Sequence, residues 1–418
     1  MRVPLRRLLL LYLVTFNGFV GYSLMITIFT PLLVDGRAPL LAASASHSER
    51  ALVLGVLLTL YPLGQFIGAP VLGGLSDRYG RRPILLASLA IAVVCYLLVA
   101  WALALNSLAL LMIACFVGGL FEANVAVTQS ALADASNESE RGRVFGYVYL
   151  AISLAYVVGP LAGGPLGDQA LISWARPWTP FVVVAGLLAV TAIAVSLRLP
   201  ETRTPAETST GAAKTAVVGA ALDNLRGFAR GFSDVRLRRL LLTNLAFYIA
   251  IFGYFRVYPL YLVDAFRVSL TRESLFVAWV AVPIVAANLG LVAALLKRYD
   301  IPAVMTAAGL LAGAALIVVP LPGKLNVLWL TLALASLGVA ILLPLCSVRI
   351  SAAVAADEQG LALGSNQALQ VGGEAFSGLI GGALAAIASE LPLVVFGVVA
   401  LGATAFSWSR RPTPSVAV

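Results

Sequence analysis

The chain has 418 residues, of which 61% are hydrophobic and only 11% charged. A soluble globular chain carries about 25% charged residues, so a water-dissolved enzyme or a nucleic-acid-binding domain is a poor fit and the bilayer is the natural solvent. The formal net charge of +9 invites a polyanionic partner, but the charges fall between apolar runs, where they mark membrane topology instead.

A membrane-crossing helix needs roughly 20 apolar residues. Continuous runs predict twelve such helices, at approximately 8–32, 52–72, 83–105, 108–129, 143–165, 178–198, 240–262, 274–296, 303–321, 325–347, 361–387 and 391–408. The runs do not alternate, which argues against strands. The first run is too long for the apolar part of a signal peptide, so an uncleaved helix is expected. Of the 28 Lys and Arg residues, Arg37, Arg50, Arg176, Arg267, Arg272 and Lys324 fall on one side of the predicted membrane, and Arg256 falls inside a helix. The rest lie on the side of the N-terminus, which places both termini in the cytoplasm. Cys95, Cys115 and Cys346 all fall within helices, without metal-ligand spacing.

The one long polar stretch between helices, 199–239, reads as a cytoplasmic linker. Its later part, 216–230, has the pattern of an amphipathic helix on the membrane surface. The linker separates a first six-helix bundle, 1–198, from a second, 240–418. Weak internal similarity supports a duplication. Leu75-Ser76-Asp77-Arg78-Tyr79 aligns with Leu295-Leu296-Lys297-Arg298-Tyr299, and Arg141-Gly142 with Gln359-Gly360 at a nearly equal offset.

Two motifs stand out. Between the second and third helices lies Gly73-Gly74-Leu75-Ser76-Asp77-Arg78-Tyr79-Gly80-Arg81-Arg82. Gly73 and Gly74 permit close helix contact, Gly80 permits a tight turn, and Asp77 at a helix end can meet a helix N-terminus. A purely topological role for the charges is the alternative, although it requires neither the Asp nor the paired glycines. The fifth helix carries Gly146, Ala155, Gly159-Pro160-Leu161-Ala162-Gly163-Gly164. Pro160 bends it, and the small residues allow tight packing against the other bundle. An ordinary kinked helix is the alternative.

The loop motif, with the pattern G-x-L-x-D-R-x-G-R-R, resembles that of the major facilitator superfamily of transporters. The helix-5 motif is similar to that of its antiporters, and 58–86 is similar to the tetracycline/proton exporters and their drug-exporting relatives. The resemblance implies an all-α membrane protein: twelve transmembrane helices in two pseudo-symmetric six-helix bundles, in a bacterial inner (cytoplasmic) membrane. It also implies that Asp77 latches onto the eleventh helix in the outward-facing state and that Arg81 engages Asp134. Asn17 and Cys95 stand where the tetracycline exporters carry acids, and the ninth helix has none.

The proton carrier must therefore be sought elsewhere. By the predicted spans, Glu122, Arg256 and Glu374 lie deep within helices 4, 7 and 11, where a charge costs roughly 2.5–3.5 kcal/mol. No Lys or Arg lies deep in the first six helices to neutralise Glu122, which suits a proton carrier; a polar helix contact is the alternative. Glu374 continues a polar face through Gln370 and Gln367 that suits a polar solute, and it is a second candidate for proton coupling. Arg256 either pairs with Glu374 or receives an anionic or aromatic group of the substrate. Asn17, Tyr22, Tyr61, Gln65, Tyr254, Asn124, Asn244 and Asn288 complete the cavity candidates, and His47, the one histidine, is read as a solvated loop residue.

The expected partners are a small-molecule substrate, protons and lipid, with no nucleic acid, for a monomer without cofactor or metal. The leading function is proton-coupled antiport exporting small amphiphilic organic compounds by alternating access. The alternatives are proton-coupled import of an anionic metabolite or chelate through Arg256, or a non-transporting sensor or scaffold. No nucleophile–base set supports an enzyme.

Overall fold

The computed structural model describes residues 5–34, 40–122, 124–135, 141–201, 235–354 and 359–408. The described elements are all helical and form twelve rods. They are α1 Leu5–Val34, α2 His47–Tyr79, α3 Arg81–Ala104, α4 in two segments Leu108–Glu122 and Asn124–Ala135, α5 Arg141–Gly167 and α6 Thr179–Arg198. The second set is α7 Val235–Phe266, α8 Leu270–Ala286 continuing through a π turn Ala287–Leu291 to Val292–Leu296, α9 Ile301–Val318, α10 Leu325–Ser351, α11 Gln359–Ala385 and α12 Leu391–Trp408. Among the described residues ten helices are long and apolar enough to cross a membrane. The other two rods are α11, which carries Asn366, Gln367, Gln370 and Glu374, and α12, whose apolar stretch is shorter.

The packing repeats with an offset of six helices. In the first half α1 packs on α5 and α6, α3 on α4 and α6, and α2 on α4; in the second α7 packs on α11 and α12, α9 on α10 and α12, and α8 on α10. The halves meet through α2 against α11, α5 against α8, and α1 against α7. The expected amphipathic helix at 216–230 and most of the linker fall outside the described residues. On the far side of the linker α7 starts at Val235, five residues before the expected boundary at 240.

The proximal face is the one at which α1 begins, and the distal face the opposite one. Contact between the halves concentrates distally. The hydroxyl of Ser48 donates to the carbonyl of Ala386 at 2.6 Å, and Thr59 Oγ1 to that of Ala375 at 3.1 Å. Gly55 of α2 and Gly382 of α11 touch backbone to backbone: a methyl on Gly55 would sit 2.7 Å from the Gly378 carbonyl oxygen and 2.8 Å from Gly382 Cα. His47 opens α2 instead of floating in a loop, and its Nδ1 lies 3.4 Å from Asp264 of α7.

Proximally the picture is reversed. The close approach expected at Gly73 and Gly74 is absent, since nothing lies within 4 Å of a methyl built on either. In this conformation the α2–α11 contact runs through the distal turns instead. Gly80 does occupy a turn that disfavours a side chain, at φ +96°. Arg81 is buried and joins Asp77 at 2.9 Å and Asp134 at 3.1 Å. The carboxylate that caps the N-terminus of α3 is Glu201, which accepts from the Arg81 and Arg82 amides at 2.8 and 3.0 Å. Arg82 also donates to the Ser196 carbonyl, and the Arg78 guanidinium lies over the Tyr79 ring.

The α5 motif divides its contacts. Methyls on Gly159 and Gly163 would strike Ser23 and Leu24 of α1 in the same half, whereas one on Gly164 would strike Ser274 of α8. Only Gly164 thus serves the cross-half packing expected of the motif, while Pro160 lies inside the helix between these contacts.

Candidate functional site

The centre of the molecule is a polar cluster shared by both halves. In the second half Arg256 of α7 pairs with Glu374 of α11, with Nη2 3.0 Å from Oε1. Both reach across to the first half. Tyr22 of α1 donates its hydroxyl proton to Glu374 Oε1 at 2.6 Å, and Arg256 donates to the Tyr22 oxygen and to the Leu58 carbonyl of α2. That carbonyl is available for a local reason. Pro62 stands four residues on and has no N–H to close the helical hydrogen bond.

Tyr22 stacks on Tyr61 of α2, with centroids 4.8 Å apart, and is flanked by Phe19 and by Tyr156 of α5. The Tyr61 hydroxyl in turn hydrogen-bonds Glu122 of α4, and Tyr96 of α3 donates to the same carboxylate oxygen at 2.9 Å. Glu122 is 2% exposed, and its Oε1 has no hydrogen-bond partner among the described residues. α1 makes room for this cluster. A methyl on Gly18 would collide with Glu122 Oε1, and one on Gly21 with the Tyr96 ring. The two acids, one in each half, are therefore connected through Tyr61 and Tyr22.

Proximal to the cluster, Gln65 lies one helical turn from Tyr61, and Gln370 and Gln367 one and two turns from Glu374, each on the face of its bonded neighbour. Gln370 is half-buried and Gln367 exposed.

Several expected cavity residues point elsewhere. Tyr254 bonds the Leu332 carbonyl at 3.0 Å and Ser336 at 2.8 Å, so it faces α10 within its own half. Asn17 donates to Thr191 of α6 at 2.7 Å, again within one half. Asn244 donates to Asn366 and to the Cys346 carbonyl, and Asn366 to Tyr248 and Ser347, a network tying α7, α10 and α11. Asn124 is buried, and Asn288 donates to Ser153 across the α5–α8 contact at 3.0 Å.

The sequence reading missed Tyr96 and the Leu58 carbonyl, for which Pro62 was the available signal. It also missed a further buried carboxylate, Glu273, one residue outside the span predicted for α8. Glu273 is 0% exposed. Among the described residues, no group of three or more His, Cys, Asp or Glu could hold a metal ion.

Two helical bundles related by a repeat, embedded in a membrane and meeting around a buried ion pair, define a carrier of solutes rather than an enzyme. The chain belongs to the Major Facilitator Superfamily, whose family model matches residues 8–335. Among curated proteins it is 36% identical over 163 residues to the class H tetracycline resistance protein of Pasteurella multocida, covering 39% of this chain and 38% of that one. It is 47% identical over 113 residues to the class G protein of Vibrio anguillarum, covering 27% and 28%. The matches thus span less than two fifths of these relatives' lengths. Among solved structures it superposes on the human organic anion transporter MFSD10 (TETRAN) with a TM-score of 0.68, at 20% identity over 97% of this chain and 100% of that one. It superposes on a D-xylose-proton symporter at 0.74, with 15% identity over 97% and 98%. These two likenesses speak to the fold alone.

Proposed function

We propose that this transporter is a proton-coupled antiporter that exports small amphiphilic organic compounds by alternating access, from a bacterial inner membrane with both termini in the cytoplasm. The observation that carries the reading is Glu122. It is buried among α1, α3 and α4, bonded by two tyrosine hydroxyls, and has no ion-pair partner among the described residues. A carboxylate desolvated without a counter-charge is costly, so the site holds its proton while closed and releases it when water enters. Likeness to tetracycline resistance proteins supports antiport. The Asn17 and Cys95 substitutions move the coupling role to Glu122, with Glu374 as its partner in the second half.

In the cycle we infer, substrate enters from the proximal, cytoplasmic side and meets Gln65, Gln367 and Gln370. It then displaces the contacts that Arg256 and Tyr22 make across the centre. Proton occupancy at Glu122 reaches the second half through the Tyr61–Tyr22–Glu374 connection. The Arg81–Asp134 pair is already made in this state; in the opposite state the proximal ends close, Gly73 and Gly74 come into contact and Asp77 meets α11. The test is proton flux in proteoliposomes with an acidic interior and a pH-sensitive dye, challenged with cationic, neutral and anionic compounds. Compound-dependent proton exit supports antiport; compound flux without proton movement refutes it.

A second reading, import of an anionic solute by proton symport, is favoured by Arg256, whose guanidinium stands at the centre between the halves. Here an anionic group replaces Glu374 on the guanidinium. Arg256→Lys then costs affinity for anions but not for neutral solutes, because a single ammonium cannot reproduce the planar fork. Unchanged anion affinity counts this reading out.

A further inference from the structure

The central site leaves Glu273 unused. It lies in the first turn of α8, at the distal end of the contact between the halves. Both of its carboxylate oxygens are buried without a hydrogen-bond partner among the described residues. The seam around it is tight. Gly164 of α5 admits Ser274 and Thr271 of α8 to backbone distance, Gly167 packs on Leu270, and Thr271 Oγ1 donates to Asp168 at the end of α5 at 2.8 Å.

Among the described residues, the groups around this seam give Glu273 no ion-pair or hydrogen-bond partner. From α7 comes Tyr258, which lies within electrostatic reach of both Glu273 and Tyr156 of α5. From α5 comes Asp168, held by Thr271. α1 contributes the apolar Leu24 and Ile28 to this seam, and α10 contributes Trp329, stacked on Phe276. On α8 itself Arg272 is exposed. Elsewhere on the distal face, His47 of α2 lies 3.4 Å from Asp264 of α7.

From this arrangement we propose that Glu273 is a second proton-binding site, which binds a proton when the distal seam is closed and returns it to water when the seam opens. The reasoning is a linkage. An ionised carboxylate sealed in this seam would lack both counter-charge and hydrogen bonds, at a cost of several kcal/mol. When α5 and α8 part, water reaches the first turn of α8. There the Ser269-capped helix N-terminus favours negative charge, and the proton leaves to solvent. Because closure binds a proton, acid must favour closure, by the reciprocity of coupled equilibria. The site is separate from Glu122 and does not depend on the coupling role assigned to that residue.

The test is a distance measurement across the distal face. Spin labels are placed at Leu171 and Leu321, both exposed and in different halves, with Cys95, Cys115 and Cys346 replaced. The full-length protein in lipid nanodiscs is titrated from about pH 5.5 to about pH 8.5. In the unmodified chain the long-distance population should rise severalfold with pH. Glu273→Gln, neutral at every pH, should stay in the short-distance state throughout. Glu273→Asp should restore a pH response and so show that the fold tolerates change at this position. A wild-type pH response in Glu273→Gln overturns the proposal, as does a flat response in the unmodified chain. Loss of the response in Glu122→Gln alone also overturns it, by assigning the response to the coupling site.

Discussion

Adding one methyl group to the distal contact between α2 and α11 should open it. At Gly55 a Cβ would lie 2.7 Å from the Gly378 carbonyl oxygen and 2.8 Å from Gly382 Cα; at Gly382 it would lie 2.7 Å from Gly55 Cα and 2.9 Å from the Ala51 carbonyl oxygen. All four are backbone atoms of packed helices, so no side chain can rotate away and the helices themselves must separate. Overpacking of this kind costs about 1–3 kcal/mol. Under the proposed cycle the cost falls on the distally closed state alone, because the opposite state separates these turns. Gly55→Ala or Gly382→Ala should therefore shift the ratio of closed to open by roughly 5- to 150-fold. The Leu171–Leu321 label pair reads this directly as growth of the long-distance population. Gly74→Ala is the internal control and should act with the opposite sign. It has open space in this conformation, and under the proposed cycle it meets α11 only when the proximal ends close. Distance distributions unchanged by Gly55→Ala and Gly382→Ala would refute the reasoning that this seam holds the distal face shut.

Two further predictions concern the centre. Glu374→Gln leaves the Arg256 guanidinium buried without its counter-charge and should destabilise the protein by about 3–5 kcal/mol. The double variant Arg256→Met/Glu374→Gln should recover most of that loss in thermal unfolding, and a double variant no more stable than the single one contradicts a buried pair. Gly18→Ala drives a methyl into the Glu122 carboxylate. It should impair proton-linked transport far more than Gly186→Ala, whose site is open; equal effects would remove Gly18 from the coupling site.

The architecture was readable because each rod is a long apolar run, and because charges cannot lie in lipid without reason. The same logic found Glu122, Arg256 and Glu374. It stopped at contacts that depend on how rods are rotated. Tyr254 and Arg256 are two residues apart on α7, yet one faces α10 and the other the centre. Asn17 looked like a cavity amide because sequence cannot tell that Thr191 of α6 faces it. Glu273 escaped because the predicted span began at 274, four residues past the observed start at Leu270, and so turned a buried acid into a loop acid. Gly73 and Gly74 illustrate a different limit: paired glycines signal a close helix approach, yet open space surrounds both in this conformation.

If Glu122 carries the coupling proton, its loss separates two kinds of transport. Substrate exchange between two equal pools needs the halves to rock but no proton gradient; accumulation driven by a pH gradient needs both. Glu122→Gln should retain exchange at near wild-type rates in proteoliposomes while losing gradient-driven accumulation. Gradient-driven accumulation at wild-type levels in that variant would contradict the account.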